Sequence, residues 1–209
     1  MKLQNKEQVV GYDAREMWLD LDLSWPERRR ETYLYKPSVT RPLSVDTAVW
    51  PSIFSLDNKA TWASHFGYQE SWADLSELQQ ALTKYHDLCP VRPFRIIAIA
   101  LFLGEYNCRD GIDWGIRIPP DVKPDRIPEG WQFLGYDVAD SFLLSVLSNC
   151  SLPSRPEQAA AEREKWGPEL NEYHLFVRFE SAVDFKRRSD ERLKGSHAPC
   201  SVFGLWTLA

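Results

Sequence analysis

Arg95-Ile96-Ile97-Ala98-Ile99-Ala100-Leu101-Phe102-Leu103 places eight successive apolar residues after a single arginine, between Pro93 and Gly104. A membrane-spanning helix needs roughly 20 such residues, and a half-exposed strand would alternate apolar with polar side chains. The run does neither. It predicts a strand covered on both faces, the middle of a sheet rather than its rim.

The flanking sequence supplies the cover. Upstream, Ser71 with Asp74 three residues on marks a helix start, and Leu75, Leu78, Leu82 and Tyr85 repeat at helical spacing until a stop before Pro90. Downstream, the polar segment 107 to 111 reads as a turn and Ile112 to Ile118 as a second, shorter strand. Pro119, Pro120, Pro124 and Pro128 make 119 to 130 a surface loop, long enough to act as a lid or a spacer. Trp131 to Val138 then predicts a strand, and Asp140 the N-cap of an apolar helix through Leu143, Leu144, Val146 and Leu147. Ser154-Arg155-Pro156-Glu157 opens another helix, which carries Ala159, Ala160 and Ala161 and stops near Gly167-Pro168. A further helix is expected over Glu180 to Leu193, and Cys200 to Leu208 closes the chain as a strand inserted beside a central one.

Residues 1 to 60 are interrupted by Pro26, Pro37, Pro42 and Pro51, which predicts an irregular, strand-containing layer. Leu19-Asp20-Leu21-Asp22-Leu23 alternates as a strand would, with a helix as the competing reading. Ser24-Trp25-Pro26-Glu27 resembles a capping box opening a short helix whose Arg28, Arg29 and Arg30 form a solvated face. Strands and helices do not alternate regularly along the chain. The expected fold is therefore α+β, a single domain with a mainly antiparallel sheet packed by helices.

With 209 residues, 44% of them hydrophobic and 26% charged, the chain has the composition of a globular protein and not of a disordered or collagen-like polymer. Its 25 Lys and Arg against 30 Asp and Glu give a formal charge of -5, which does not favour nonspecific binding to nucleic-acid phosphates. No apolar run of signal-peptide length follows Met1 to Gln8, so a cytoplasmic location without a membrane is expected. Cys89, Cys108, Cys150 and Cys200 are then read as reduced thiols.

Standard catalytic and nucleotide signatures are missing: there is no Gly-x-Gly-x-x-Gly, Walker loop, Gly-x-Ser-x-Gly or His-Glu-x-x-His, and no cofactor is expected. Three weaker constellations stand in their place. His86 with Cys89 and His197 with Cys200 together make up a Cys2His2 ligand set, which would stabilise a zinc module, although each pair sits at the edge of a different element. Cys150 with the downstream His174, beside Asn171 and Glu172, has the residue types of a thiol nucleophile and its base; a buried thiol and a packing histidine explain them more simply. Asp110 with Asp113, or Asp137 with Asp140, would serve a small hydrolase or transferase as an acid/base pair, against which Asp140 reads as a helix cap and Asp137 as a turn or strand-end residue.

Nine Trp, eight Tyr and ten Phe point instead to packing and contact surfaces. Trp72, Trp131 and Trp206 lie inside regular apolar patterns and are read as core. Trp25, Trp50, Trp62, Trp114 and Trp166 adjoin prolines, glycines or polar stretches, so about one or two of the five are expected to anchor a partner and the rest to be satellites of the core.

Pro128-Glu129-Gly130-Trp131-Gln132-Phe133-Leu134-Gly135-Tyr136-Asp137-Val138-Ala139-Asp140, continuing through Leu143-Leu144-Ser145 to Ser148-Asn149-Cys150, resembles uncharacterised bacterial proteins associated with polymorphic toxin systems. The resemblance extends to Leu170 through Phe176 and to His197-Ala198-Pro199. It implies an immunity-like protein of the cytosol that binds and neutralises a cognate toxin domain, and it carries over no catalytic residue. An acidic protein steers readily onto a basic partner. The surface expected to do so comprises Asp20 and Asp22, then Glu105, Asp110, Asp113 and Trp114 around the 105 to 114 turn, and Asp121, Asp125 and Glu129 in the proline-rich loop.

Overall fold

A computed structural model describes residues 7–16, 72, 74–86, 94–102, 127, 129–139, 145–146, 155–193 and 199–208. The apolar run becomes strand β2 (Phe94–Phe102), and Ile97 through Phe102 are all buried, so both faces of the strand are covered as its sequence requires. With strands β1 (Glu7–Glu16), β3 (Trp131–Ala139) and β4 (Ser201–Leu208) it forms, among the described residues, an antiparallel sheet in the order β1-β2-β4-β3. The closing strand β4 thus lies between β2 and β3, its backbone paired on both sides. Ser201 through Leu205 are all buried, which fits that interior place.

Among the described residues three α-helices accompany the sheet: α1 (Leu75–His86), α2 (Pro156–Trp166) and α3 (Phe179–Arg192). The fold is α+β. Alternation along β2 sorts the contacts by face. Ala98 and Ala100 pack with Leu78, Ala81 and Leu82 of α1, while Phe102 packs with Ala159 and Trp166 of α2 and with Ala182, Val183 and Phe185 of α3. Ala98, Ala100 and Phe102 share a face, so all three helices lie on it. Ile97, Ile99 and Leu101 point the other way and pack with Leu134, Leu175, Phe203 and Leu205.

Both outer strands are bulged. In β1 the register passes from Val9 opposite Ala100 to Gly11 opposite Ile99, and in β3 from Phe133 opposite Trp206 to Gly135 opposite Leu205. Val10 and Leu134 are the extra residues, and each reverses the facing of everything beyond it. Val9 and Tyr12, three apart, therefore pack in the same cluster with α1. Nothing in the pattern of 7–16 marks that stretch as a strand of this length, since the bulge breaks its alternation.

Several local expectations change. Asp74 rather than Ser71 caps α1: its Oδ1 accepts the backbone N–H groups of Ser76 at 2.6 Å and Glu77 at 3.2 Å, the positions an N-cap carboxylate reaches. The helix expected through Val146 does not form at its described residues. Ser145 bridges to Ala139, and the Val146 N–H donates to the Val138 carbonyl at 2.9 Å, so this stretch folds back along β3. A buried hydrogen bond from Ser145 Oγ to Asp137, 2.8 Å long, holds it there. Trp166, left open between anchor and core satellite by its place before Gly167-Pro168, is of the second kind, buried against Phe176 and Phe185. The strands expected at 19 to 23 and 112 to 118, the helix after Trp25, and Trp50, Trp62 and Trp114 lie outside the described residues.

Candidate functional site

On the helix-bearing face, where β3 meets β4, four half-buried aromatic residues stand in a row: Trp206, Phe133, Tyr136 and Phe179. Ring centroids are 4.8 Å apart from Trp206 to Phe133, 4.7 Å from Phe133 to Tyr136 and 5.5 Å from Tyr136 to Phe179, within the range of favourable tilted and edge-to-face pairs. Phe102 lies beneath, 4.8 Å from Phe179 and 5.5 Å from Tyr136. The register sets Tyr136 opposite Gly204, and Gly204 opposite Ala100, so the centre of the row rests on small residues.

The outer edge of β3 is clasped by a hairpin. Tyr136 and Phe176 exchange backbone N–H to carbonyl bonds of 2.9 Å, and Leu170 bridges to Phe176. Asn171 stitches its turn: Oδ1 accepts the N–H groups of Tyr173 at 2.9 Å and Leu175 at 3.1 Å, and Nδ2 donates to the Leu134 carbonyl at 2.6 Å. His174 sits at φ 58° in this turn. Gly135 has φ +145°, and a Cβ there would lie 2.6 Å from the Leu175 Cβ, so only glycine lets the hairpin approach this closely.

Charged groups in the described region serve the architecture. Glu162 of α2 receives Arg188 of α3 through Nε at 3.1 Å and Nη2 at 2.7 Å on one carboxylate oxygen, and the Trp166 indole N–H at 2.7 Å on the other. Desolvation pushes the Glu162 carboxyl upward, but the bonds from Arg188 and Trp166 and the charges of Arg188 and Lys165 outweigh it and hold the group below the usual range. Glu169 accepts Ser181 Oγ and Arg178 Nη2, each at 2.7 Å; the Ser181 hydroxyl, followed by Arg178, keeps its carboxyl low. Lys186, buried on α3, pairs with Asp190, whose other oxygen accepts the Cys200 N–H at 2.6 Å and so ties α3 to the start of β4. Asp137 is wholly buried and accepts from Ser145 Oγ and the Val138 N–H, each at 2.8 Å.

The sequence candidates are unequally placed. Glu129 is exposed in the turn that enters β3, beside Gly130 at φ +86°. Asp20, Asp22, Glu105, Asp110, Asp113, Trp114, Asp121 and Asp125 lie outside the described residues, as do Asp140, Cys150, Cys89 and His197. His174 is half-buried in the Asn171 turn. Asp137, read as a turn or strand-end residue against an acid/base pair with Asp140, lies towards the end of β3 and is bonded to Ser145. His86 closes α1, which packs with Val9 and Tyr12, whereas Cys200 is buried in the cluster of α2 and α3. Among the described residues, no group of three or more His, Cys, Asp or Glu side chains is placed to hold a metal, and no helix is long and apolar enough to cross a membrane. Phe133, Tyr136 and Phe179 are not among the anchors expected from sequence, which are all tryptophans, and Trp206 is expected in the core. The signal for the first two is the Phe133-Leu134-Gly135-Tyr136 interruption in an otherwise strand-like run.

No protein family, curated protein or solved structure matches this chain.

Proposed function

We propose that this protein acts by binding another protein, a cognate toxin domain, and neutralises it without chemistry of its own. The observation that carries this reading is the row Trp206, Phe133, Tyr136 and Phe179, a set of mutually supported rings that are each only half covered. Rings already held by neighbours lose little conformational freedom on docking, and aromatic side chains dominate the energetics of protein interfaces. The formal charge of -5 favours a basic partner, drawn in by long-range attraction before the rings exclude water. The resemblance to proteins of toxin systems supplies the class of partner.

Co-expression with the product of the neighbouring gene tests this. The expected result is a stable complex and rescue of growth, with Phe133→Ala or Phe179→Ala weakening the complex about thirtyfold, the effect of losing a hot-spot side chain worth about 2 kcal/mol. Glu129→Gln, a change at the exposed turn, serves as the electrostatic control and should alter mainly the association rate and its salt dependence. No complex, or undiminished binding by both aromatic variants, overturns the proposal.

A further inference from the structure

We propose that Asn171 is the positioning residue of the aromatic row: by holding the bulge at Leu134 it makes Phe133 and Tyr136 share one face of the sheet. The consequence for partner capture rests on the binding reading above; the positioning itself does not.

Residues three apart in a regular strand point to opposite faces. Phe133 and Tyr136 are three apart, yet their rings are 4.7 Å from each other, because Leu134 adds one residue to β3 that β4 does not match. A bulge of this kind takes its extra residue out of the ladder, and the polar groups of that residue need partners elsewhere. Leu134 is buried, and its carbonyl receives Asn171 Nδ2 at 2.6 Å. The amide cannot turn round without loss, since its oxygen already accepts the Tyr173 and Leu175 N–H groups. That leaves the NH2 end for β3. The site therefore calls for a short side chain with an acceptor at one end of a planar group and a donor at the other, which is asparagine; aspartate offers no donor and leucine offers neither. Gly135, the next residue, gives the hairpin room to bring Asn171 within reach. Without this lock, a one-residue slip in β3 would send one of the two rings to the opposite face.

Asn171→Asp separates the two halves of the lock, because it keeps the acceptor for the hairpin and sets a carboxylate against the Leu134 carbonyl. Hydrogen exchange on the isolated protein should then quicken about tenfold at the Leu134 to Tyr136 amides, while the Asn171 and His174 amides, bonded to Leu175 and Asn171 carbonyls, stay protected. The near-ultraviolet circular dichroism of the clustered rings should weaken in parallel, and capture of the neighbouring gene's product should fall about tenfold. Unchanged exchange at 134 to 136 overturns the proposal, and so does a uniform rise along both β3 and the hairpin, which would mark a purely structural role. A measurement on the unaltered chain guards against a variant that does not fold: the Asn171 side-chain NH2 protons should exchange slowly, and solvent-like exchange overturns the assignment. If Asn171→Asp frees the bulge as expected while Phe133→Ala and Phe179→Ala both bind the partner normally, the binding reading fails and the positioning role stands.

Discussion

Replacing Gly135 with alanine tests the close approach of hairpin and sheet most directly. Two costs combine. The residue sits at φ +145°, a region that side chains with a Cβ rarely enter, and holding alanine there costs on the order of 1–3 kcal/mol. The new Cβ would also lie 2.6 Å from the Leu175 Cβ, 3.0 Å from Asn171 Nδ2 and 3.1 Å from the Phe176 carbonyl oxygen. Two of those neighbours are a Cβ and a backbone atom, and the third is held in a hydrogen bond, so none can swing aside; forcing them apart costs about another 1–3 kcal/mol. A total near 4 kcal/mol would take a large part of the roughly 5–15 kcal/mol that stabilises an ordinary domain, and it would lower the melting temperature by about 8–16 °C. Gly130→Ala is the matched control: φ is +86°, a Cβ there would meet nothing within 4 Å, and only the backbone cost of about 1–2 kcal/mol applies. Urea unfolding followed by tryptophan fluorescence measures both. If Gly135→Ala proves no worse than Gly130→Ala, the hairpin does not approach β3 as described.

Glu162→Gln should cost about 1–3 kcal/mol in denaturant unfolding, because the Arg188 fork and the buried Trp166 N–H both lose a charged acceptor; an unchanged midpoint would refute the link between α2 and α3. Ser145→Ala removes a donor to the wholly buried Asp137, and a loss of similar size is expected, with hydrogen exchange quickening at Val146 first. Asp74, Glu162 and Glu169 all have carboxyls held below their usual range, so the stability they contribute is complete above the unfolded carboxylate pKa and is lost as pH falls through the lowered values. Acid unfolding should therefore set in below about pH 5, and Glu162→Gln should flatten that dependence. Asp74→Ala should remove amide protection from the first turn of α1 while leaving the β2 amides unaffected, as expected for the loss of a cap whose acceptor serves Ser76 and Glu77.

The elements legible in the sequence are those whose physics is local. Eight apolar residues in a row, bounded by Pro93 and Gly104 and too short for a typical buried helix, fit an interior strand, and β2 is one. Leu75, Leu78 and Leu82 announce α1 by period alone, and Pro156 at the first turn with Gly167 after the last marks both ends of α2. The misreadings share a different cause: in each, a partner distant in sequence overrides the local signal. Ser145 and Val146 carry a helical pattern but answer to Asp137 and Val138. Trp166, which its neighbouring glycine and proline leave open between surface and core, is likewise decided at a distance: its ring is drawn inward by Phe176 and Phe185 and its N–H by Glu162.

The same logic explains why the candidate site is hidden in the sequence. Amphipathic strand reading counts in twos, and a bulge adds one; Val9 with Tyr12 and Phe133 with Tyr136 then look as though they face opposite ways when each pair faces the same way. A bulge is stable only where something satisfies the backbone it leaves unpaired, and for β3 that something is Asn171, 37 residues further along the chain. In the sequence Asn171 stands out only as a neighbour of His174, beside a candidate thiol and base. Its hydrogen bonds give it another role: the residue that decides which aromatic side chains are presented together is one that presents none itself. Deleting Leu134 puts this to the test from the strand's side. With the extra residue gone, β3 regains a period of two, Phe133 and Tyr136 become two apart and share a face without help, and Asn171→Asp should no longer alter the ring signature in near-ultraviolet circular dichroism. If the deletion leaves that sensitivity intact, Asn171 acts on the rings by some route other than the bulge.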